Sequence, residues 1–216
     1  IIHFPESPEN NHMEAWGQLI KLNQNKTKWL ALIDADMALV PAKTNDIKEV
    51  LKNYEDYASV QINWKTFGSS FKETKEEGSL YERFLLCGGE GCIYNTHTQF
   101  ICQPLKTLPI AEEPHYPNLP EGEVSVNTNK EVIKDNQENS LNPNRSKIFN
   151  DPPLYDVLWV AHYTNKSKEE FLIKNSKGRA DIPGVKMPIE QFEQYDMVCN
   201  TTIELRALQI WYSLIM

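Results

Sequence analysis

The chain has 216 residues, of which 40% are hydrophobic and 24% are charged, and its 30 acidic against 22 basic residues give a formal net charge of -8. This size and composition are typical of one globular domain whose core needs no disulfide or metal cross-link. The acidic balance disfavours a nucleic-acid binder, which needs a basic face, and no apolar run is long enough to predict a transmembrane helix.

The first third of the chain alternates strand and helix patterns. Consecutive apolar positions predict strands at 1–4, 28–33 and 58–64. Apolar residues three and four apart predict helices at 13–25 and 47–54. Since parallel strands are joined by crossover helices, this order predicts an α/β fold with a mainly parallel sheet and flanking helices.

The rest of the chain is less regular. The pattern predicts a turn at 67–70, a charged loop at 72–78, a short helix at 80–86 and a strand pair or bent strand at 93–102. The segment 104–153 is rich in Pro, Asn and Glu, which indicates a long irregular insertion, either functional or disordered, within a single domain. Three further elements are predicted: a strand at 155–163, a helix at 167–177 and a final helix at 200–215.

The four cysteines, Cys87, Cys92, Cys102 and Cys199, lack the spacing of a zinc site or of a dense disulfide framework. We expect buried thiols. In an oxidising compartment, the turn between Cys87 and Cys92 is short enough for a disulfide.

Two carboxylates, Asp34 and Asp36, directly follow the predicted strand that ends at Ile33. Residues two apart in an extended segment point to one side, and ligands of open α/β sheets bind beyond the carboxyl ends of strands. Mg²⁺ and Mn²⁺ often bind through one or two carboxylates and the phosphates of a substrate, so the pair indicates a metal-bound nucleotide diphosphate. A chance Asp-x-Asp is the alternative that the residues alone leave open.

Four motifs extend this observation along nearly the whole chain. They are WLALIDADMALVP at 29–41, INWKTFGSS at 62–70, ERF at 82–84 and HYTNKSKEEF at 162–171, which continues to Gly178. In this order the chain resembles the bacterial family-2-like glycosyltransferases and is similar to glycosyltransferase family 92. The resemblance implies a GT-A (Rossmann-like) fold, a nucleotide-sugar donor, and a Mn²⁺ or Mg²⁺ ion that bridges Asp36 and the diphosphate. It also implies that a βαβ portion preceding Ile1 is missing from the chain.

The resemblance gives roles on the donor side. It implies that Asp34 lies near the nucleotide ribose and shares the metal with Asp36 and His162. The cations that follow, Lys166, Lys174 and Arg179, would neutralise the leaving diphosphate. The residues alone leave open a structural role for His162, and a solvated helix face explains the neighbouring Lys168 and Lys177 just as well.

On the acceptor side, the resemblance implies a wall of four residues, Trp64, Phe67, Gly68 and Ser69, and a substrate contact at His115. A Trp on a buried strand, such as Trp64, is more often plain core. An inverting transfer needs a carboxylate base, for which Glu82 is the leading candidate and Glu90 and Asp156 are weaker ones. A structural ion pair with Arg83 or another cation is the alternative for Glu82.

The sequence also departs from the family pattern. Met37 and Ala38 stand where Glu and an aromatic residue usually follow the Asp-x-Asp motif, and Gln99 stands where Lys is common. We predict a metal-dependent, inverting glycosyltransferase of bacterial polysaccharide assembly, cytoplasmic with peripheral membrane contact, that uses a glycan or lipid-linked acceptor. The alternatives are a catalytically inactive homologue that serves as a glycan-binding or scaffold module, and a metal-dependent phosphoesterase that uses Asp34 and Asp36.

Overall fold

The computed structural model describes residues 12–109, 114–133, 149–176, 178 and 185–216. Eight strands are found in these ranges: β1 (Leu30–Ala31), β2 (Met37–Pro41), β3 (Ser59–Thr66), β4 (Leu86–Cys87), β5 (Thr98–Cys102), β6 (Ser125–Val126), β7 (Leu158–His162) and β8 (Thr202–Ile203). The α-helices there are α1 (His12–Asn23), α2 (Ile47–Leu51), α3 (Leu80–Arg83), α4 (Lys168–Ser176), α5 (Ile189–Cys199) and α6 (Arg206–Ile215). The predicted strand at 1–4 lies outside the described residues.

The larger sheet has the strand order β1-β5-β3-β7-β2, and β6 also pairs with β3. β3 pairs antiparallel with β5 along one edge, and parallel with β6 and then β7 along the other. β1 is antiparallel to β5 and β2 is antiparallel to β7. The α/β class with flanking helices is therefore confirmed, but the described sheet is mixed where the sequence predicted mainly parallel pairing. Every residue of the antiparallel strand β5 is buried, so its apolar pattern does not reveal its direction.

The core lies around the two central strands. Val60 and Ile62 of β3 and Leu158 and Val160 of β7 are fully buried in one cluster, which Ala207 of α6 completes. Burial of side chains of this size contributes about 1.5–3 kcal/mol each to folding. β3 is therefore held firmly by the core, and it fixes the position of the side chains at its carboxyl end.

A smaller cluster fixes α1 to the edge of the sheet. Trp16 and Ile20, four residues apart on one helix face, pack against Phe100 and Cys102 of β5. The Trp16 and Phe100 rings meet edge to face with centroids 6.4 Å apart. This packing confirms the predicted first helix.

Several predicted boundaries need correction. β1 ends at Ala31, so the strand predicted at 28–33 does not run directly into Asp34. The segment 93–102 is a 3-10 turn followed by β5 rather than a strand pair. α3 is one turn long and is followed by β4. The helix predicted at 200–215 starts only at Arg206, because β8 lies between it and the unpredicted helix α5.

The capping box predicted for α4 is confirmed. The Ser167 hydroxyl donates to Glu170 Oε2 at 2.8 Å and accepts from the Glu170 amide at 3.3 Å. Gly178 follows the helix with φ 80°, a left-handed conformation that glycine adopts without strain. Of the helices in the described ranges, none is long and apolar enough to cross a lipid bilayer.

Candidate functional site

Asp36 lies in a tight turn between β1 and β2. The Met37 amide donates to the Asp34 carbonyl at 3.0 Å, which closes the turn, and the Tyr163 amide donates to the Asp36 carbonyl at 2.9 Å. The second bond fastens the turn to the carboxyl end of β7. Asp36 is only 8% exposed, whereas Asp34 is half-buried.

Three nitrogen-bearing side chains that follow in the chain converge on the Asp36 carboxylate. Lys174 Nζ lies 2.9 Å and Lys166 Nζ 3.2 Å from Asp36 Oδ2, and His162 Nε2 lies 3.9 Å from Oδ1. His162 ends β7, Lys166 lies in the loop after it, and Lys174 lies on α4. Four residues assigned to the donor side by the motif resemblance are thus neighbours in space.

The protonation states in this cluster are set by burial and by the two lysines. Burial alone would raise the pKa of Asp36, but Lys174, His162 and Lys166 together hold it below its ordinary value. Burial lowers the pKa of His162 to about 3, against the opposing effect of Asp36 and with the help of Lys174. At neutral pH the lysines therefore stabilise an Asp36 carboxylate beside a neutral imidazole.

Trp64, near the end of β3, has three histidines around its indole ring. Its centroid lies 4.3 Å from that of His162 and 5.1 Å from that of His115, both edge to face, and 5.0 Å from that of His97, which is stacked on it. Trp64 is 8% exposed. It therefore belongs both to the core and to the wall of the Asp36 cluster.

Gln99 holds His115 in this wall. The buried Gln99 amide nitrogen donates to the carbonyl of Pro114 at 3.1 Å and to that of Leu32, which orients its Oε1 toward His115 Nδ1 at 2.9 Å. Because this oxygen can only accept, His115 carries its proton on Nδ1 when it is neutral. The departure from the family pattern at position 99 thus has a structural role of its own.

Three of the predicted acceptor-side residues are packed within the fold. Phe67 is 1% exposed and stacks on Tyr163 with centroids 4.5 Å apart. Gly68 is in close contact with the end of α5, where a Cβ atom would come within 2.4 Å of Asn200 Oδ1. The Ser69 amide and hydroxyl both donate to the Asp196 carboxylate. These contacts place Phe67, Gly68 and Ser69 in the packing of the fold, and their role as substrate contacts stays a prediction.

Glu82 also has a structural role. It accepts hydrogen bonds at 2.8 Å from both the amide and the hydroxyl of Ser79, which forms a capping box at the start of α3. These bonds lower its pKa, which makes it a weaker base. The neighbouring Arg83 pairs with Glu170 rather than with Glu82. The contacts of Glu82 are thus those of a helix cap, while Arg83 is paired elsewhere.

Two of the three predicted metal ligands, Asp36 and His162, are neighbours in the structure. Within the described residues, no three His, Cys, Asp or Glu side chains are grouped so as to hold a metal ion, and Asp34 as a third ligand stays a prediction. An ionised Asp36 and a neutral His162 are in the protonation states that metal ligands need. Two protein ligands fit a Mg²⁺ or Mn²⁺ ion whose other ligands come from a diphosphate. Arg179 lies outside the described residues.

Two features of the molecule were not predicted. The first is His97, which stacks on Trp64 but belongs to none of the sequence motifs. The pairing of β3 with β5 brings the two residues together, and the Trp64 amide donates to the His97 carbonyl at 2.8 Å. A cavity of about 730 Å³ is lined by Lys65, Tyr155, the 88–92 loop and neighbouring residues. Since successive side chains of a strand point to opposite faces, Lys65 and this cavity lie across β3 from Trp64.

Comparison of the chain with models of known protein families finds no match, and a search of curated proteins finds none either.

Proposed function

We propose that the chain is a metal-dependent glycosyltransferase that moves a sugar from a nucleotide-diphosphate donor to a glycan or lipid-linked acceptor. The observation that carries the proposal is the convergence of Asp36, His162, Lys166 and Lys174, whose side chains come from two distant parts of the chain. The motif order that resembles family-2-like and family-92 glycosyltransferases supports the same chemistry.

The donor side of the proposal depends on charge. Asp36 and His162 would hold the metal ion, which supplies electrostatic stabilisation of the leaving diphosphate. Lys166 and Lys174 now share Asp36 Oδ2, and the Lys174 side chain is 48% exposed. Either lysine can exchange the Asp36 carboxylate for a phosphate oxygen at a small cost in free energy, because carboxylate and phosphate both accept charge-assisted hydrogen bonds.

The acceptor side rests on Trp64 and His115, and the Trp64 ring contacts both His115 and His162. Aromatic rings offer sugars an apolar face for stacking. Glu82 is the candidate base because an inverting transfer needs a carboxylate and Glu82 follows the turn after the acceptor strand β3. Transfer should persist in Glu82→Gln if the residue acts only as a helix cap, and its loss without unfolding would identify Glu82 as the base.

The test is calorimetric titration of the protein with UDP- and GDP-sugars, with and without Mn²⁺. We expect metal-dependent binding that Asp36→Ala abolishes and Lys174→Met weakens about tenfold or more, since a charge-assisted contact contributes 1.5–3 kcal/mol. Lys168→Met on the same helix is the matched control, because Lys168 pairs only with Glu73 among the described acids and should leave binding unchanged. Absence of metal-dependent binding to every donor would overturn the proposal.

The second candidate function is a nucleotide- or glycan-binding module without catalysis. It is favoured by the lysines themselves, which occupy the Asp36 oxygen that a metal ion needs. In that case the same titration would show donor binding that EDTA does not affect, with neither transfer nor hydrolysis of the donor.

A further inference from the structure

Two cysteines that are distant in sequence lie side by side. Cys92 Sγ is 3.8 Å from Cys199 Sγ, and all four cysteines are reduced. Cys92 ends the glycine-rich 88–92 loop, and Cys199 is the last residue of α5. The sequence suggested a bond from Cys92 to Cys87, and the structure brings Cys92 to Cys199 instead.

The cavity of about 730 Å³ gives one of these two sulfurs a route to solvent. Cys92 and Cys87 both line it, whereas Cys199 is not among its lining residues and is fully buried. Cys92 is 7% exposed. A small reagent therefore reaches the pair through Cys92, and Cys199 becomes reactive only toward a group already attached there.

The thiols differ in acidity. The hydrogen bond from Cys199, helped by the amides of Tyr94 and Asn95, lowers the pKa of Cys92 to about 7. The pKa of Cys199 is raised by that same bond and by burial, and burial raises the pKa of Cys87 and Cys102 to about 12. Since the thiolate is the nucleophile, Cys92 is the attacking thiol of the four at neutral pH.

The backbone before Cys92 is suited to a short movement. A disulfide needs the sulfurs to approach to about 2 Å. Gly91 has φ 78° and a Cβ atom there would meet nothing within 4 Å, whereas a Cβ atom at Gly88 would come within 2.4 Å of Cys92 Sγ. Glycines leave the loop free to adjust its dihedral angles, whereas α5 holds Cys199 in place.

We propose that Cys92 is a redox-active thiol that attacks small disulfides in the cavity and is resolved by Cys199, giving a Cys92–Cys199 disulfide. In the first step the Cys92 thiolate forms a bond to one sulfur of the reagent, the reagent's S–S bond breaks, and one thiolate leaves and takes up a proton. In the second step Cys199 loses its proton and attacks Cys92 Sγ, which expels the second thiolate. Two protein thiols are oxidised and one small disulfide is reduced to two thiols.

The bond would fix a junction of the fold. It ties the 88–92 loop to the end of α5, where Asp196 and Asn200 hold Ser69 and Ser70 by hydrogen bonds. The modification therefore acts on a structural joint and is independent of the proposed transfer reaction.

The test uses the reduced protein and an uncharged probe, 2-hydroxyethyl disulfide. After acid quenching and unreduced digestion, mass spectrometry should find the Cys92 and Cys199 peptides linked. In Cys199→Ala the reaction should stop at a mixed disulfide on Cys92, and in Cys87→Ser the linkage should form as in the wild type. The rate should rise with pH with an inflection near pH 7, about 1.5 units below that of an ordinary thiol.

The wild-type experiment keeps the test falsifiable even if a variant fails to fold. A Cys87–Cys92 linkage, or a Cys92 that stays unmodified while the protein remains folded, would overturn the proposal. The linked protein should also melt about 5–10 °C higher than the reduced one, because the bond closes a long loop. An unchanged melting temperature would contradict the expected tie between the 88–92 loop and α5.

Discussion

At the scale of single residues, the unusual pair is a buried carboxylate beside a buried imidazole that stays neutral. His162 lies 3.9 Å from Asp36, yet the nearby carboxylate does not keep the imidazole protonated, because burial and the two lysines disfavour a positive charge on His162. Lys166 and Lys174 already neutralise Asp36. The cluster is therefore built with more cationic than anionic groups, which suits an anionic ligand such as a diphosphate.

This neutral imidazole predicts an acid-sensitive fold. The pKa of His162 is about 3 when folded and about 6.5 in the unfolded chain, so only the unfolded state takes up the proton as the pH falls between these values. Stability should thus fall by about 2 kcal/mol from pH 6.5 to pH 4.5. The stability that Asp36 contributes is lost only at a pH below this window, because the pKa of Asp36 is lowered in the folded protein. Urea denaturation at several pH values measures the dependence.

The control separates titration from packing. His162→Gln should flatten the pH dependence in this window, whereas Trp64→Phe disturbs the same ring contacts without removing a titrating group and should keep it. An unchanged slope in His162→Gln would show that His162 is not the group that titrates.

At the scale of elements, sequence reasoning succeeded where local signals decide the structure. The capping box at Ser167 and Glu170 predicted the start of α4, and the apolar spacing of Trp16 and Ile20 predicted α1. It failed for α5, whose N-cap is Pro188 rather than one of the typical capping residues Ser, Thr, Asp or Asn, so that Glu190 in the first turn is the remaining start signal. The hydrogen-bond partners of the 67–70 turn could not be predicted for the same reason, because Asp196 lies on the missed helix and Asn200 directly follows it.

The junction between that turn and α5 gives the second prediction. Gly68→Ala should destabilise the protein by about 2 kcal/mol, since the added Cβ lies 2.4 Å from Asn200 Oδ1 and 2.8 Å from the Cys199 carbonyl. Chemical denaturation of the single and double variants measures the cost. In an Asn200→Ala background the same change should cost less, because the side chain that obstructs it is gone. Equal costs in both backgrounds would place the strain elsewhere.

At the scale of the whole molecule, the sequence predicted which segments would meet at the site but not how the sheet brings them together. Asp36, His162, Lys166 and Lys174 were identified from ordered motifs, which need no knowledge of strand direction. His97 was missed because its place beside Trp64 depends on strand pairing across some thirty positions of the chain, as the β3–β5 register shows. Local patterns do not encode such long-range pairing.

The same topology predicts an uneven distribution of stability. β3 is flanked on both edges, by β5 on one and by β6 and β7 on the other, and its side chains are almost all buried. The β4–β8 pair has two residues in each strand, and both residues of β8 are exposed. Local opening costs little where few buried contacts are lost, so amides of β4 and β8 should exchange with solvent well before those of β3.

Hydrogen exchange followed by mass spectrometry measures this difference on peptides that contain residues 59–66, 86–87 and 202–203. We expect the β3 peptide to exchange only by global unfolding, with a rate that follows the free energy of unfolding in low urea, while the β4 and β8 peptides exchange with little dependence on urea. If all three exchange at one rate, the chain opens as a single cooperative unit and the small sheet is as stable as the core. Oxidation of the Cys92–Cys199 pair should slow the β8 peptide selectively, because the disulfide joins the chain three residues before β8 to the loop that follows β4.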